Sequence, residues 1–306
     1  MTTIADRAVG NEADVDLDIV PLSGVIGAQI RGLDLKAPLA RAAVDAIRRA
    51  LLRYRVIFFP EAHLDAAQHV AFARQFGELT PAHPVIPGIE GHPEVFEIDY
   101  SAARQLAVAY GDVARQNATA GGGISWHTDV TFVERPPLGS ILNAVVIPES
   151  GGDTMWTNQV AAYEGLSAPI RDLLDGLTAV HDGAPQFASL LAQLPEGGEW
   201  DDKPFRDLRP VEHPVVRTHP ETGERSLFVN PGFTSHVKEL SRPESDNLLA
   251  FLYAHSTKPE YTVRYHWRAG DIGFWDNRAT QHSVVGDYGT QHRVIQRVTL
   301  RGDAPY

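Results

Sequence analysis

From residue 125 onward the chain is a succession of short β-forming runs separated by turn residues. This punctuation constrains the fold more than any other feature. The runs are WHTDVTF, GSILNAVVIP, DTMWTN, HPVVRTHPETGERSLFVN, YTVRYHW, DIGFWDN and HRVIQRVTLRG. PETGER, residues 220–225, sits between two β stretches and reads as a hairpin turn. Helical spacing interrupts the runs only at 161–176 and 243–256. Many short strands with few helices must bury their apolar faces against one another, most simply as a double-sheet jelly roll.

The first third is more mixed. VPLSGVIGAQIRGLDL (20–35) reads as short strands, and VIFFP (56–60) as a buried strand stopped by proline. AAVDAIRRALLRY (42–54) has helical spacing, with Val44, Ile47, Leu51 and Leu52 on one stripe. Residues 65–79 form a second amphipathic pattern with Asp65 placed to cap it. Residues 80–98 are Pro-rich and irregular, and 1–15 are expected to be a mobile tail. Residues 99–124 contain a glycine triplet at 121–123, just before WHTDVTF, the position of an active-site lid loop. No linker divides the chain, so 1–306 is expected to form one domain, mainly β with flanking helices.

Composition narrows the chemistry. The absence of cysteine excludes disulfides, thiolate metal sites and a cysteine nucleophile, and fits a reducing, cytoplasmic setting. The N-terminus has no apolar signal region, and no apolar run reaches the roughly 18 residues a membrane helix needs. A net charge of −12 argues against nucleic acid as a partner. The same charge would repel an anionic ligand at long range, so individual arginines become informative.

HxD occurs at His127–Asp129 and at His63–Asp65, and HxE at His92–Glu94 and His219–Glu221. His63–Asp65 opens a helix, where Asp is explained as a cap. His92 and His219 each precede a proline in turn-like sequence. Only His127–Asp129 lies in a β run, where residues two apart share a face. An imidazole beside a carboxylate supplies two corners of a metal site, and a second histidine would complete the ligand set of non-haem Fe(II) oxygenases. His282, in WDNRATQH, is a candidate third ligand, and His236, His255 and His266 compete on sequence alone. In HRVIQRVTL, Arg293 and Arg297 share a face with Ile295. An inward arginine is costly unless an anion meets it, and its fork suits a carboxylate or sulfonate. A solvated or salt-bridged face is the alternative.

WHTDVTF, GGDTMW (151–156), WDNRATQH (275–282) and the run from QHR (291–293) through Arg297 to RGD (301–303) occur in order. In these motifs the chain resembles the taurine dioxygenase family of Fe(II)/2-oxoglutarate-dependent dioxygenases, across roughly residues 20–306. HPVVRTHPETGER (213–225) is similar too. The resemblance implies a double-stranded β-helix, a jelly roll, with His127, Asp129 and His282 as iron ligands. It implies that Arg293, assisted by Thr154, grips the distal carboxylate of 2-oxoglutarate. Arg297 would hold the anionic head of the primary substrate, with His83 hydrogen-bonded to it. Phe187 and Phe233 would wall the pocket. Dioxygen would be the second co-substrate, and a homodimer or homotetramer the assembly.

The departures concern substrate choice. Taurine-specific members carry a tyrosine where this chain has Ile86, and a serine beside the pocket phenylalanine where it has Gln186. They place an asparagine shortly before the WHTD tryptophan, where this chain has GGGIS. A buried ammonium without partners is expensive. The implied reaction is therefore hydroxylation of the carbon beside the sulfur group of a small sulfonate or alkyl sulfate. It releases an aldehyde with sulfite or sulfate, alongside succinate and carbon dioxide. A metal-dependent hydrolase using the same ligands, or a non-catalytic cupin-like anion-binding protein, are the other readings.

Overall fold

Val56–Phe59 is apolar and buried at every position, so both faces of that strand must be covered. The computed structural model, which describes residues 15–84, 88–99, 126–185 and 208–306, places this strand inside a seven-stranded sheet. In chain order the first strands are β1 (Asp18–Pro21), β2 (Ala28–Arg31), β3 (Val56–Phe59), β4 (Phe96–Asp99), β5 (Gly139–Val146), β6 (Thr154–Asn158), β7 (Thr178–His181) and β8 (Val211–Pro214). They are followed by β9 (Val216–Thr218), β10 (Arg225–Leu227), β11 (Thr234–Val237), β12 (Thr262–Tyr265), β13 (Ile272–Asp276), β14 (Thr280–Val284) and β15 (Val294–Leu300). The helices are α1 (Arg41–Tyr54), α2 (Ala66–Arg74), α3 (Gln159–Glu164), α4 (Ala168–Leu174) and α5 (Arg242–Ser256).

The large sheet runs β1-β2-β3-β13-β5-β15-β4. Two three-stranded sheets, β12-β6-β14 and β11-β7-β8, and the β9–β10 hairpin complete the strands. This is the jelly roll expected from the punctuation of the sequence, and PETGER is the turn of the β9–β10 hairpin.

Alternation along β3 divides the core. Ile57 and Phe59 point to one face, where Val44, Ile47 and Leu51 of α1 and Phe72 of α2 cover them. Val56 and Phe58 point to the other, where they meet Trp156, Tyr265, Trp267 and Trp275 between the sheets. Phe58 stacks on Tyr265 with ring centroids 3.7 Å apart. Each such side chain contributes roughly 1.5–3 kcal/mol by leaving water. A third cluster packs α3, α4 and α5 on the smaller sheets.

Local expectations were met unevenly. Asp65 caps α2 as a full capping box with Gln68, which accounts for the His63–Asp65 pair. That helix stops at Arg74 rather than 79. The helical pattern at 161–176 divides into α3 and α4, because Gly165 ends the first and Ser167 with Pro169 restarts the second. The irregular 80–98 stretch ends in β4, an edge strand paired with β15. WHTDVTF is not a strand: His127 makes one isolated bridge, and the chain then turns. Ile86, Gln186 and Phe187, the tail apart from Val15 and the expected lid apart from Asp99 lie outside the described residues.

Candidate metal centre and active site

His127 and His282 are backbone partners. His127 N donates to His282 O at 3.0 Å, and His282 N donates to His127 O at 2.8 Å. Beyond this bridge the chain reverses through Val130, whose φ of 54° is an outlier for a β-branched residue. Hydrogen bonds hold the turn. Thr128 Oγ1 donates to Thr280 O at 2.7 Å, and Asn230 Nδ2 donates to Thr131 Oγ1 at 3.1 Å. His213 Nε2 donates to Thr131 O at 2.9 Å and to Val133 O at 3.1 Å. Asp129 therefore sits beside His127 because of this turn, not because of strand alternation.

The three side chains meet. Asp129 Oδ1 lies 3.9 Å from His127 Nε2 and 4.0 Å from His282 Nε2. One ligand atom from each residue falls within 4.8 Å of the others. Metal bonds to nitrogen and oxygen donors are about 2.0–2.2 Å, so one ion can reach all three. Two imidazoles and a carboxylate form the donor set of non-haem iron sites. His236, His255 and His266 are elsewhere: His255 Nε2 donates to Ala162 O, and His266 pairs with Asp153.

Electrostatics keep the set ready to ligate. Burial first, then the neighbouring His127, pushes His282 down to about 3, so it stays a neutral donor. Burial raises the Asp129 carboxyl, but Arg297, His282, His127 and a hydrogen bond from Ser140 outweigh it and hold the group at about 2. Ser140 Oγ donates to Asp129 Oδ2 at 2.6 Å, and Arg297 Nη1 donates to Oδ1. Trp275 and Trp156 flank the His282 ring, with centroids at 4.9 and 6.3 Å.

Both arginines are buried; their spacing left a salt-bridged face open as the alternative, and Arg297 does pair with Asp129. Arg293 is fully buried, and its stem packs over Gly152, where an added Cβ would lie 3.3 Å from Arg293 Cδ. Two residues on, Thr154 Oγ1 accepts the indole N–H of Trp267 at 2.9 Å, which leaves its own hydrogen to donate. Arg297 is buried, and its Nε has no partner among the described residues. That is a donor suited to an incoming anion.

A chain of rings also joins His127 to Arg297. His127 faces Phe233 at 6.0 Å, Phe233 packs on Phe132 at 4.9 Å, and Phe132 lies 6.3 Å from His83. His83 then meets Phe96 at 5.4 Å, and the Arg297 guanidinium lies 5.2 Å from the Phe96 ring centre. Burial, and then Arg297, pushes His83 down to about 3. Sequence reasoning does not single out Phe96, Phe132 or Ser140, because they reach the site only once the strands are in register.

The sequence matches the model of the taurine catabolism dioxygenase TauD, TfdA family over residues 18–299. The chain belongs to this family. Among its relatives, an alpha-ketoglutarate-dependent sulfate ester dioxygenase of Pseudomonas putida is 45% identical over 294 residues, covering 95% of this chain and 91% of that protein. An alkylsulfatase of Acinetobacter baylyi is 39% identical over 290 residues, covering 94% and 86%. A taurine dioxygenase crystal structure from Burkholderia xenovorans superposes with a TM-score of 0.77 at 43% identity, covering 94% of this chain and 92% of that one. Among the described residues, no helix is long and apolar enough to cross a membrane.

Proposed function

We propose that this chain is an Fe(II)- and 2-oxoglutarate-dependent dioxygenase acting on small anionic organosulfur compounds, with alkyl sulfate esters preferred over taurine. The observation that carries the reading is the convergence of His127, Asp129 and His282, with the buried Arg297 donating to Asp129. The 45% identical relative named for sulfate esters supports the choice of substrate.

Iron with 2-oxoglutarate supplies the activation of dioxygen that ends in hydroxylation of the carbon beside the sulfur group. The chain's residues orient and shield. His127, Asp129 and His282 would hold the metal, and a three-ligand set of this kind leaves coordination positions for co-substrates. Arg293 and the Thr154 hydroxyl bind the far carboxylate of the keto acid and fix its angle. Arg297 binds the sulfate or sulfonate head, and neutral His83 adds a hydrogen bond to it. Phe96, Phe132 and Phe233 line the path between head group and metal, which excludes water and suits an alkyl chain. Taurine would place its ammonium against this aromatic wall, where a charge without partners is costly. The hydroxylated product of an ester separates into aldehyde and sulfate, and that of a sulfonate into aldehyde and sulfite.

The test is a panel of taurine, pentanesulfonate, a medium-chain alkyl sulfate and a chlorophenoxyacetate under Fe(II), 2-oxoglutarate and air. Sulfite, sulfate and succinate are read separately. Sulfate and succinate in equal amounts, highest with the alkyl sulfate, are expected. In the same assay Arg297→Ala should raise the KM for the organosulfur substrate and leave the keto acid's nearly unchanged, and Arg293→Ala should do the reverse. Product formation without 2-oxoglutarate, or the same effect from both changes, would reject the assignment.

A further inference from the structure

Asp129 has two oxygens and two different kinds of partner. Arg297 donates to Oδ1, the oxygen that also faces both histidines, whereas Ser140 donates to Oδ2 at 2.6 Å. Behind Ser140, Asn277 Nδ2 donates to Ser140 Oγ at 2.8 Å, and Trp275 Nε1 donates to Asn277 Oδ1 at 2.9 Å. Residue exposure is 1% for Trp275, Asn277 and Asp129 and 0% for Ser140, so water does not compete.

The polarity of this chain is forced. An indole N–H can only donate, so the Asn277 atom facing it must be the carbonyl oxygen. The amide nitrogen then points to Ser140, whose oxygen must accept there. The single hydroxyl hydrogen of Ser140 is left for Asp129. Register builds the chain: Ser140 of β5 lies opposite Trp275 of β13, two residues before Asn277.

We infer that Trp275, Asn277 and Ser140 form a one-way hydrogen-bond relay that makes Asp129 a single-oxygen metal ligand, presenting Oδ1 and withholding Oδ2. This rests on the reading of His127, Asp129 and His282 as the metal centre. Two imidazoles and one carboxylate oxygen leave three of six positions for co-substrates, and a carboxylate binding through both oxygens would take one of them. Ser140 and Asn277 are thus positioning residues, in contact with the ligand and not with the reacting atoms.

The experiment is Mn(II) titration of the full chain, following the free ion by electron paramagnetic resonance. It compares the unaltered protein with Ser140→Ala, Asn277→Ala, the double variant and Asp129→Ala. Hydrogen-bond partners of metal ligands typically change affinity by about 10–100-fold. Ser140→Ala should weaken Mn(II) binding by that factor, and Asn277→Ala by less. Because Asn277 acts only through Ser140, the double variant should match Ser140→Ala within about twofold. Ser140→Cys keeps the volume and only a weak S–H donor, so it should also lose affinity. The visible bands of the Co(II)-loaded Ser140→Ala protein should shift as the second carboxylate oxygen becomes available. Full Mn(II) affinity in the Ser140 variants, multiplying losses in the double variant, or unchanged Co(II) bands would each overturn the relay. No Mn(II) binding by the unaltered protein, or normal binding by Asp129→Ala, would instead overturn the metal centre itself.

Discussion

Acid should destabilise this fold through His69 well before its buried carboxylates protonate. His69 lies on α2 and is fully buried. Its Nε2 is 3.1 Å from Ile141 O, and a carbonyl only accepts, so Nε2 carries the hydrogen. Nδ1 has no partner among the described residues. A second proton would therefore create a buried charge and a donor with nothing to meet. Burial accordingly pushes the group down to about 4, only partly offset by the bond to Ile141. In the unfolded chain a histidine takes its proton near pH 6.5. Between those values the unfolded state binds one proton more, so stability falls as pH drops through this window and is fully present above it. Each pH unit costs about 1.4 kcal/mol, which amounts to about 2 kcal/mol for His69 on going from pH 7.5 to pH 5. The assay is urea unfolding of the native chain and His69→Gln at several pH values between 7.5 and 5. Glutamine keeps a donor but does not titrate, so its profile should be shallower by about one proton near pH 5. Any constant difference in stability between the two proteins cancels in this slope. His181, pushed down to about 3 mainly by burial, steepens both profiles alike. Asp276 and Asp129 sit below the ordinary carboxylate range and stay ionised throughout. Parallel profiles for the two proteins would refute the reasoning.

Two further outcomes follow from the same geometry. Gly152→Ala places a side chain at a φ of 72° and a Cβ 3.3 Å from Arg293 Cδ. It should cost about 1–2 kcal/mol in urea unfolding. In steady-state kinetics it should weaken keto-acid binding severalfold, with the KM for the organosulfur substrate unchanged. Asp276→Asn removes the charge that accepts from Arg278 Nε at 2.9 Å and Nη2 at 2.8 Å, and from His219 Nε2 at 3.0 Å. Leaving the buried Arg278 with Glu221 as its remaining carboxylate should cost about 3–5 kcal/mol in urea unfolding.

The sequence was most readable where burial is periodic or complete. VIFF and DIGFW are buried at every position and GSILNAVV at its first six, and they became the neighbouring strands β3, β13 and β5 of one sheet. Arg293, Ile295 and Arg297 were placed on one face by alternation, and all three are buried. Alternation misled at WHTDVTF. Nothing in those seven residues announces a β-branched residue at positive φ. The turn is imposed by Thr280, Asn230 and His213, which are remote in sequence and invisible to a local window. His127 and Asp129 fell together for a reason other than the one the pattern offered. The Ser140–Asn277 contact was illegible for a related cause: it exists only once β5 and β13 are paired in register.

The placement of the site follows from how the sheets meet. His282 comes from β14 in a small sheet, and His127 is tied to it by the backbone bridge. Arg297 comes from β15 in the large sheet. Between these sheets lie Trp156, Trp275 and Ile295 of the inner core. Arg297 reaches the His127–Asp129 turn directly, donating to Asp129 Oδ1, and close-packed aromatic volume backs this contact. Interiors packed at crystal-like density resist changes of even one methylene. Trp156 and Trp275 serve at once as core and as backing for the His282 ring. The same side chains that hold the sheets together therefore also steady the His282 ring.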